Sequence, residues 1–282
     1  MINEITYINS RGDSITFGGD DAGNPWHYGV TDIFDIKQDY EELGGRIISF
    51  LGGIRELGLH AVMRKGSLEE RDRLVDVLSY DSKLATPGTL YAGESYIKCY
   101  AKDVEQTGWH YAEGSLTADI VFVSDDPVWV RKHVITLMAD SERRDGGLDY
   151  PHDYPFDYGY SSGTSRIIEN PYMLPVKCDI AFPGPCADPY VIIGPNRYQV
   201  KASIKKGQLI IIQGYPVEGR KRIILRDVDG SERSLLSNGV REEGAHVFAE
   251  VPVGRHVAAW SGAYNIEVTM YEERLSPCQN LS

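Results

Sequence analysis

The sequence has 282 residues, 42% of them hydrophobic and 25% charged, which is ordinary globular composition at a length that suits about two domains. That excludes a disordered or collagen-like chain, and it leaves room for one or two proper cores. The 29 Lys and Arg against 41 Asp and Glu give a net charge of −12, so a non-specific grip on nucleic-acid phosphates is not expected.

The first ten residues have no basic region and no apolar core, so no secretory leader is expected. Residues 5–9 and 14–17 read as two strands around Arg11-Gly12-Asp13, a hairpin at the start of the chain. Further strands are expected at 28–36, 46–51 and 58–64. One helix is expected at 67–80. Ser67 is its N-cap, Glu70 completes a capping box, and Leu68, Leu74, Val75 and Leu78 recur at helical spacing. Thr86-Pro87-Gly88 stops it. In 95–102 and 116–123 apolar and polar residues alternate, the sign of half-buried strands, and 128–137 reads as another. Residues 1–139 therefore read as a β-rich domain carrying one helix.

Residues 140–175 differ. Asp149-Tyr-Pro-His, Asp153-Tyr-Pro-Phe and Asp157-Tyr-Gly-Tyr form a four-residue quasi-repeat, and its prolines block both helix and central strand. Tyr150, Tyr154 and Tyr158 give it apolar area to lay against a domain surface, so it reads as an adherent inter-domain linker. Residues 176–282 return to short strands separated by turns such as Asp229-Gly230 and Asn238-Gly239, with no helix signal. That favours a β-sandwich or jelly roll. The charge is uneven: residues 1–139 carry net −9, 140–175 net −4 and 176–282 net +1.

Chemistry is sparse. Gly159-Tyr-Ser161-Ser-Gly163 matches a nucleophile elbow, and Asp188 and His246 follow in hydrolase order. The elbow needs a strand before it and a helix after it, and here it follows a Pro/Tyr segment, so a plain turn is favoured. Four cysteines in so long a chain are no disulfide framework. Cys178 and Cys186 fit no zinc spacing, and no two of the seven histidines stand at i, i+4, so neither metal nor cofactor is expected. Asp227-Val-Asp229-Gly230 echoes a calcium loop but lacks its third acid and closing Glu, and reads as a β-turn. Arg11-Gly12-Asp13 likewise reads as a turn rather than a recognition tripeptide. Trp260 lies in an expected strand. It is the candidate glycan contact, against a core role. The apolar runs are too short to span a bilayer, so no membrane partner is expected.

Three phrases, in order along most of the chain, carry a family likeness. They are the opening Ile5-Thr-Tyr-Ile-Asn-Ser-Arg-Gly-Asp, the Asp-Tyr-Pro segment with Tyr158-Gly-Tyr, and the closing Tyr264-Asn-Ile-Glu-Val-Thr-Met-Tyr-Glu-Glu-Arg. Together they resemble the distal tail proteins of long, non-contractile-tailed phages and prophages. The resemblance implies an N-terminal split-barrel-like domain with one helix and a C-terminal galectin-like sandwich. It implies a virion structural protein, not an enzyme, made in the bacterial host cytoplasm and placed at the tail tip. Its implied partners are itself, as a homo-hexameric ring, the tail tube protein, the tail-associated tip protein and receptor-binding or baseplate proteins. DNA would pass through without binding, past the acidity of six first domains. Two other readings compete: a carbohydrate-binding module for cell-wall glycan through Trp260, and a serine hydrolase using Ser161.

Overall fold

The computed structural model describes residues 3–19, 23–64, 66–110, 113–139, 164–217, 219–243 and 245–278. Among these the chain is mainly antiparallel β-structure, with one α-helix and no closed barrel. It divides into two compact units, residues 1–131 with 273–282, and residues 132–272.

The first unit holds β1 (Glu4–Ile8), β2 (Ser14–Gly18), β3 (Trp26–Thr31), β4 (Asp39–Leu43), β5 (Arg46–Leu51), β6 (Arg55–Met63), α1 (Leu68–Leu84), β7 (Gly88–Ala92), β8 (Ser95–His110), β9 (Ser115–Ser124) and the start of β10 (Trp129–Leu137). One long strand organises it. The first part of β8 pairs with β7, Gly88 opposite Cys99, and β7 continues the ladder to β1 and β2. From Tyr100 onward β8 pairs with β9, with a bulge at Ala101–Asp103, and the ladder continues to β6 and β3. Bulges bend the strand that carries them, so β8 serves two sheets. Phe17 of β2 meets Trp26 of β3 edge to face, with ring centroids 6.1 Å apart. The core beneath includes Ile5, Tyr7, Phe17, Trp26, Leu57, Leu59, Ile97, Ile120 and Phe122.

The helix starts as the capping box requires, with the Ser67 hydroxyl accepting from the Glu70 amide at 3.3 Å. It ends at Ala85, which adopts the left-handed conformation at φ 51°. Its inward face is Leu74, Val77, Leu78 and Asp81, whereas the expected Leu68 and Val75 are exposed. A polar residue thus completes the buried stripe. The Asp81 carboxylate accepts from the Tyr7 hydroxyl at 2.6 Å and from the Ser10 amide at 2.8 Å. Burial first, then the bond to Asp81 and its charge, hold the Tyr7 phenol well above its ordinary value. Gly88 lies against this pair, and an added Cβ there would collide with both Asp81 and Tyr7.

The last described residues close the first unit. The buried Arg55 guanidinium donates to the Leu275 carbonyl at 3.0 Å and also to the Asp35 carbonyl. The Ser276 hydroxyl donates to the Phe34 carbonyl at 2.9 Å, and the Cys278 amide to the Ser95 hydroxyl at 3.1 Å. The sequence reading placed 176–282 in the second domain; the structure returns residues 273–278 to the first unit.

The second unit contains the remainder of β10, then β11 (Thr164–Asn170), β12 (Lys177–Pro183), β13 (Cys186–Ala187), β14 (Tyr190–Ile193), β15 (Asn196–Gln199), β16 (Ser203–Ile204), β17 (Leu209–Val217), β18 (Arg220–Arg226), β19 (Glu232–Ser234), β20 (Arg241–Glu242), β21 (Ala245–His246), β22 (Gly254–Trp260) and β23 (Ile266–Arg274), whose end passes back to the first unit. One sheet runs β19-β18-β17-β12-β23 and the other β11-β22-β14-β15. Ile180, Phe182, Ile210, Ile212 and Ile223 of the first meet Val191, Ile193, Tyr198, Ala258 and Trp260 of the second in one apolar core. This is a β-sandwich. β11 falls inside the stretch the sequence reads as linker. Its alternation is short, Ile167 outward and Ile168 inward, and it follows directly on the Pro/Tyr phrase.

Candidate assembly surfaces

β4 and β5 form a hairpin that pairs with no other strand among the described residues. Gly44 and Gly45 turn it, at φ 62° and 75°, the pair of positive values that a two-residue hairpin turn demands. All of β4 is exposed, and the hairpin offers apolar side chains throughout: Leu43 is 71% exposed, Phe50 60%, Ile48 58%, and Tyr40 and Ile47 are similar. Tyr40 stands opposite Phe50 across the strands. An isolated hairpin is marginal in water, and contiguous exposed apolar area marks an interaction site. Sequence reasoning found β5 and missed β4, whose Asp39-Tyr-Glu-Glu-Leu reads as surface. The Gly44-Gly45 dipeptide between them was the available signal.

The second surface is the outward face of β6, β9 and β8. Asp119 stands opposite His60 on one side and Glu105 on the other, while Val121 stands opposite Gly58 and Asp103. His60 Nδ1 lies 2.6 Å from Asp119 Oδ1. Lys102 pairs with Glu56, and that bond and charge raise the lysine above its ordinary value. Gly58 leaves a shallow apolar depression among Val30, Leu59, Ile120 and Val121, rimmed by Asp32, His60 and Asp119. The chemistry of the face is charge, with Glu56, Asp103, Glu105 and Asp119 all exposed.

Tyr150, Tyr154, Tyr158 and Ser161 lie outside the described residues. Trp260 is 2% exposed and its indole N–H donates to the Tyr264 carbonyl at 2.9 Å, which makes it a core residue with nothing to offer a glycan at the surface. His246 sits in β21, where its Nδ1 accepts from the Phe248 amide at 3.3 Å, and Asp188 occupies a turn at φ 46°. Cys178 is buried, which pushes its thiol up to about 12, and Cys186 is pushed up to about 11 by burial. Among the described residues no three His, Cys, Asp or Glu side chains group as metal ligands. Asp227 to Ser231 is a turn, closed by the Gly230 amide on the Asp227 carbonyl at 3.0 Å. Arg11 to Asp13 turns β1 into β2, with the Asn9 side chain accepting from the Arg11 and Asp13 amides. No helix among the described residues is long and apolar enough to cross a membrane.

No family model matches the sequence, and no curated protein does. Solved structures do match in fold. The Dit protein of phage SPP1, described as a paradigm of hub adsorption apparatus in Gram-positive infecting phages, aligns over 96% of this chain and 99% of its own, at 9% identity and TM-score 0.54. The phage P2 baseplate in its activated conformation with calcium aligns over 97% and 99%, at 14% identity and TM-score 0.55. The strontium form of that baseplate gives 13% identity and TM-score 0.53 over the same shares. These structural neighbours are phage hub and baseplate proteins, and at such identity it is the fold that is shared.

Proposed function

We propose that this protein is a structural component of a phage or prophage tail tip, a distal tail protein acting by assembly and not by catalysis. The observation that carries the proposal is likeness to phage hub and baseplate proteins over nearly the whole of both chains, two units included. In this reading six copies close a ring between the tail tube and the tip or baseplate proteins. A closed ring needs heterologous contacts, one patch meeting a different patch. The β4–β5 hairpin supports that role, because its apolar side chains find no cover within the described residues of its own chain. The acidic face of β6, β9 and β8 suits a channel wall that DNA passes without sticking, since like charges repel.

Native mass measurement with negative-stain imaging of the full chain tests the proposal. The expected particle is an annulus of six times the 31.5 kDa chain mass. Replacing residues 38–52 with a two-glycine turn is expected to leave monomers that keep a cooperative thermal unfolding transition. A protein that stays monomeric at millimolar concentration, with hydrodynamics indifferent to loss of the hairpin, refutes ring formation through this surface.

A further inference from the structure

Glycine is disfavoured in the interior of a strand, where it packs nothing, and it often marks the close approach of another chain. Gly58 stands near the middle of β6 and does not have a positive φ. An added Cβ there would meet the Asp32 carboxylate at 3.4 Å, which is van der Waals contact, so the single chain does not require a glycine. What its bareness does is keep the depression on this face open. Val30, 84% exposed, stands on one side, and Val121 lies directly opposite Gly58 on β9. The β4–β5 hairpin falls between Asp32 and Gly58 in the chain, yet none of its residues lines the depression.

The rim of the depression lacks a cation. Asp119 stands directly opposite Glu105, and like charges so placed are destabilising. His60 bonds Asp119, but a neutral imidazole leaves both charges standing. Glu105 forms no ion pair among the described residues. The hairpin tip carries what is missing. Leu43, 71% exposed, stands opposite Arg46 across the Gly44-Gly45 turn, so the two share a face. Arg46 is exposed and has no acidic partner among the described residues. An apolar knob beside a guanidinium matches an apolar hollow with carboxylates on its rim. The two glycines keep the tip slender enough to enter a shallow hollow.

We propose that the hairpin tip of one copy, Leu43 with Arg46, seats in the hollow at Gly58 and Val121 of the next copy, Arg46 meeting Asp119 and Glu105. The contact is heterologous, as ring closure requires. It rests on the ring reading above, and it moves Asp119 and Glu105 from channel wall to subunit contact. Assembly of the full chain is followed by native mass measurement over a concentration series. Arg46→Glu and Asp119→Lys are each expected to raise the concentration of half-assembly at least about tenfold, and the double variant to return within about threefold of the parent. Gly58→Leu, which fills the hollow, is expected to melt cooperatively and to stay monomeric. The charge exchange decides the matter if Gly58→Leu does not fold, because Arg46 and Asp119 are both exposed. A parent that assembles while both charge variants assemble as it does overturns the socket and leaves the ring standing. So does a double variant no better than its singles, or a folded Gly58→Leu protein that assembles like the parent. A parent that remains monomeric overturns both readings.

Discussion

Tyr7→Phe removes a single oxygen from the centre of the first unit. The tyrosine is fully buried, as is Asp81, and the lost bond is a 2.6 Å contact to a carboxylate. Asp81 keeps its bond from the Ser10 amide, so one carboxylate oxygen loses its partner while the other does not. A hydrogen bond to a charged group contributes about 1.5–3 kcal/mol, and stranding its buried acceptor falls in a similar range, so a loss of about 2–3 kcal/mol is expected. At about 3 °C per kcal/mol for a unit of this size, the melting transition of the first unit should fall by roughly 6–9 °C. Calorimetry is the suitable assay, because two units need not unfold as one and their transitions must be separated. The double variant Tyr7→Phe/Asp81→Leu should lose less than the sum of its single variants, since neither polar group is then left facing an apolar one. A Tyr7→Phe protein melting within 1 °C of the parent would show that this pair does not hold the helix to the sheet.

Two further outcomes follow from local geometry. Ala85→Gly should stabilise the first unit by about 1 kcal/mol, read by the same calorimetry, because the helix ends there in a left-handed conformation that disfavours a Cβ. Asp179 gives a pH test of the second unit. Burial raises its carboxyl above the ordinary 3.8, against the opposing effects of the Tyr215 and Gly214 amides, the Tyr271 hydroxyl and the charge of Lys132. The folded state therefore binds this proton more tightly than the unfolded state. The associated stability is present below about pH 3.8 and is lost as pH rises through the raised folded value. Asp179→Asn should flatten that loss, so its melting temperature gains on the parent's as pH rises to neutrality. Parallel curves for the two proteins would contradict the assignment.

The parts legible in the sequence were those where one local signal decides. Ser67 and Glu70 mark the helix start because the cap is a contact within one turn. The alternation in 95–102 and 116–123 marks strands because one face of each is buried throughout. The helix's inward face was harder: an aspartate takes one of its positions, and only a tyrosine 74 residues away explains why. The hairpin strand Asp39–Leu43 was illegible for the opposite reason. No face of it is buried among the described residues, so no alternation is imposed on it. Trp260 in an expected strand could face either way, and its indole bond to Tyr264 fixes it inward. Lys221 and Arg241, which meet over the Phe248 ring, come from separate strands that only the fold brings together.

The clasp of Leu275, Ser276 and Cys278 onto Arg55, Phe34 and Ser95 has a consequence for synthesis. A ribosome delivers residues 132–272 before the segment that completes the unit begun at the N-terminus. The sandwich can mature while its predecessor still waits for its final piece, reversing the usual order in which tethered modules fold during translation. The middle stretch is in effect a guest threaded into its host, entering and leaving through two strands. Natural variation can lengthen or exchange such a guest while the host keeps both of its own ends.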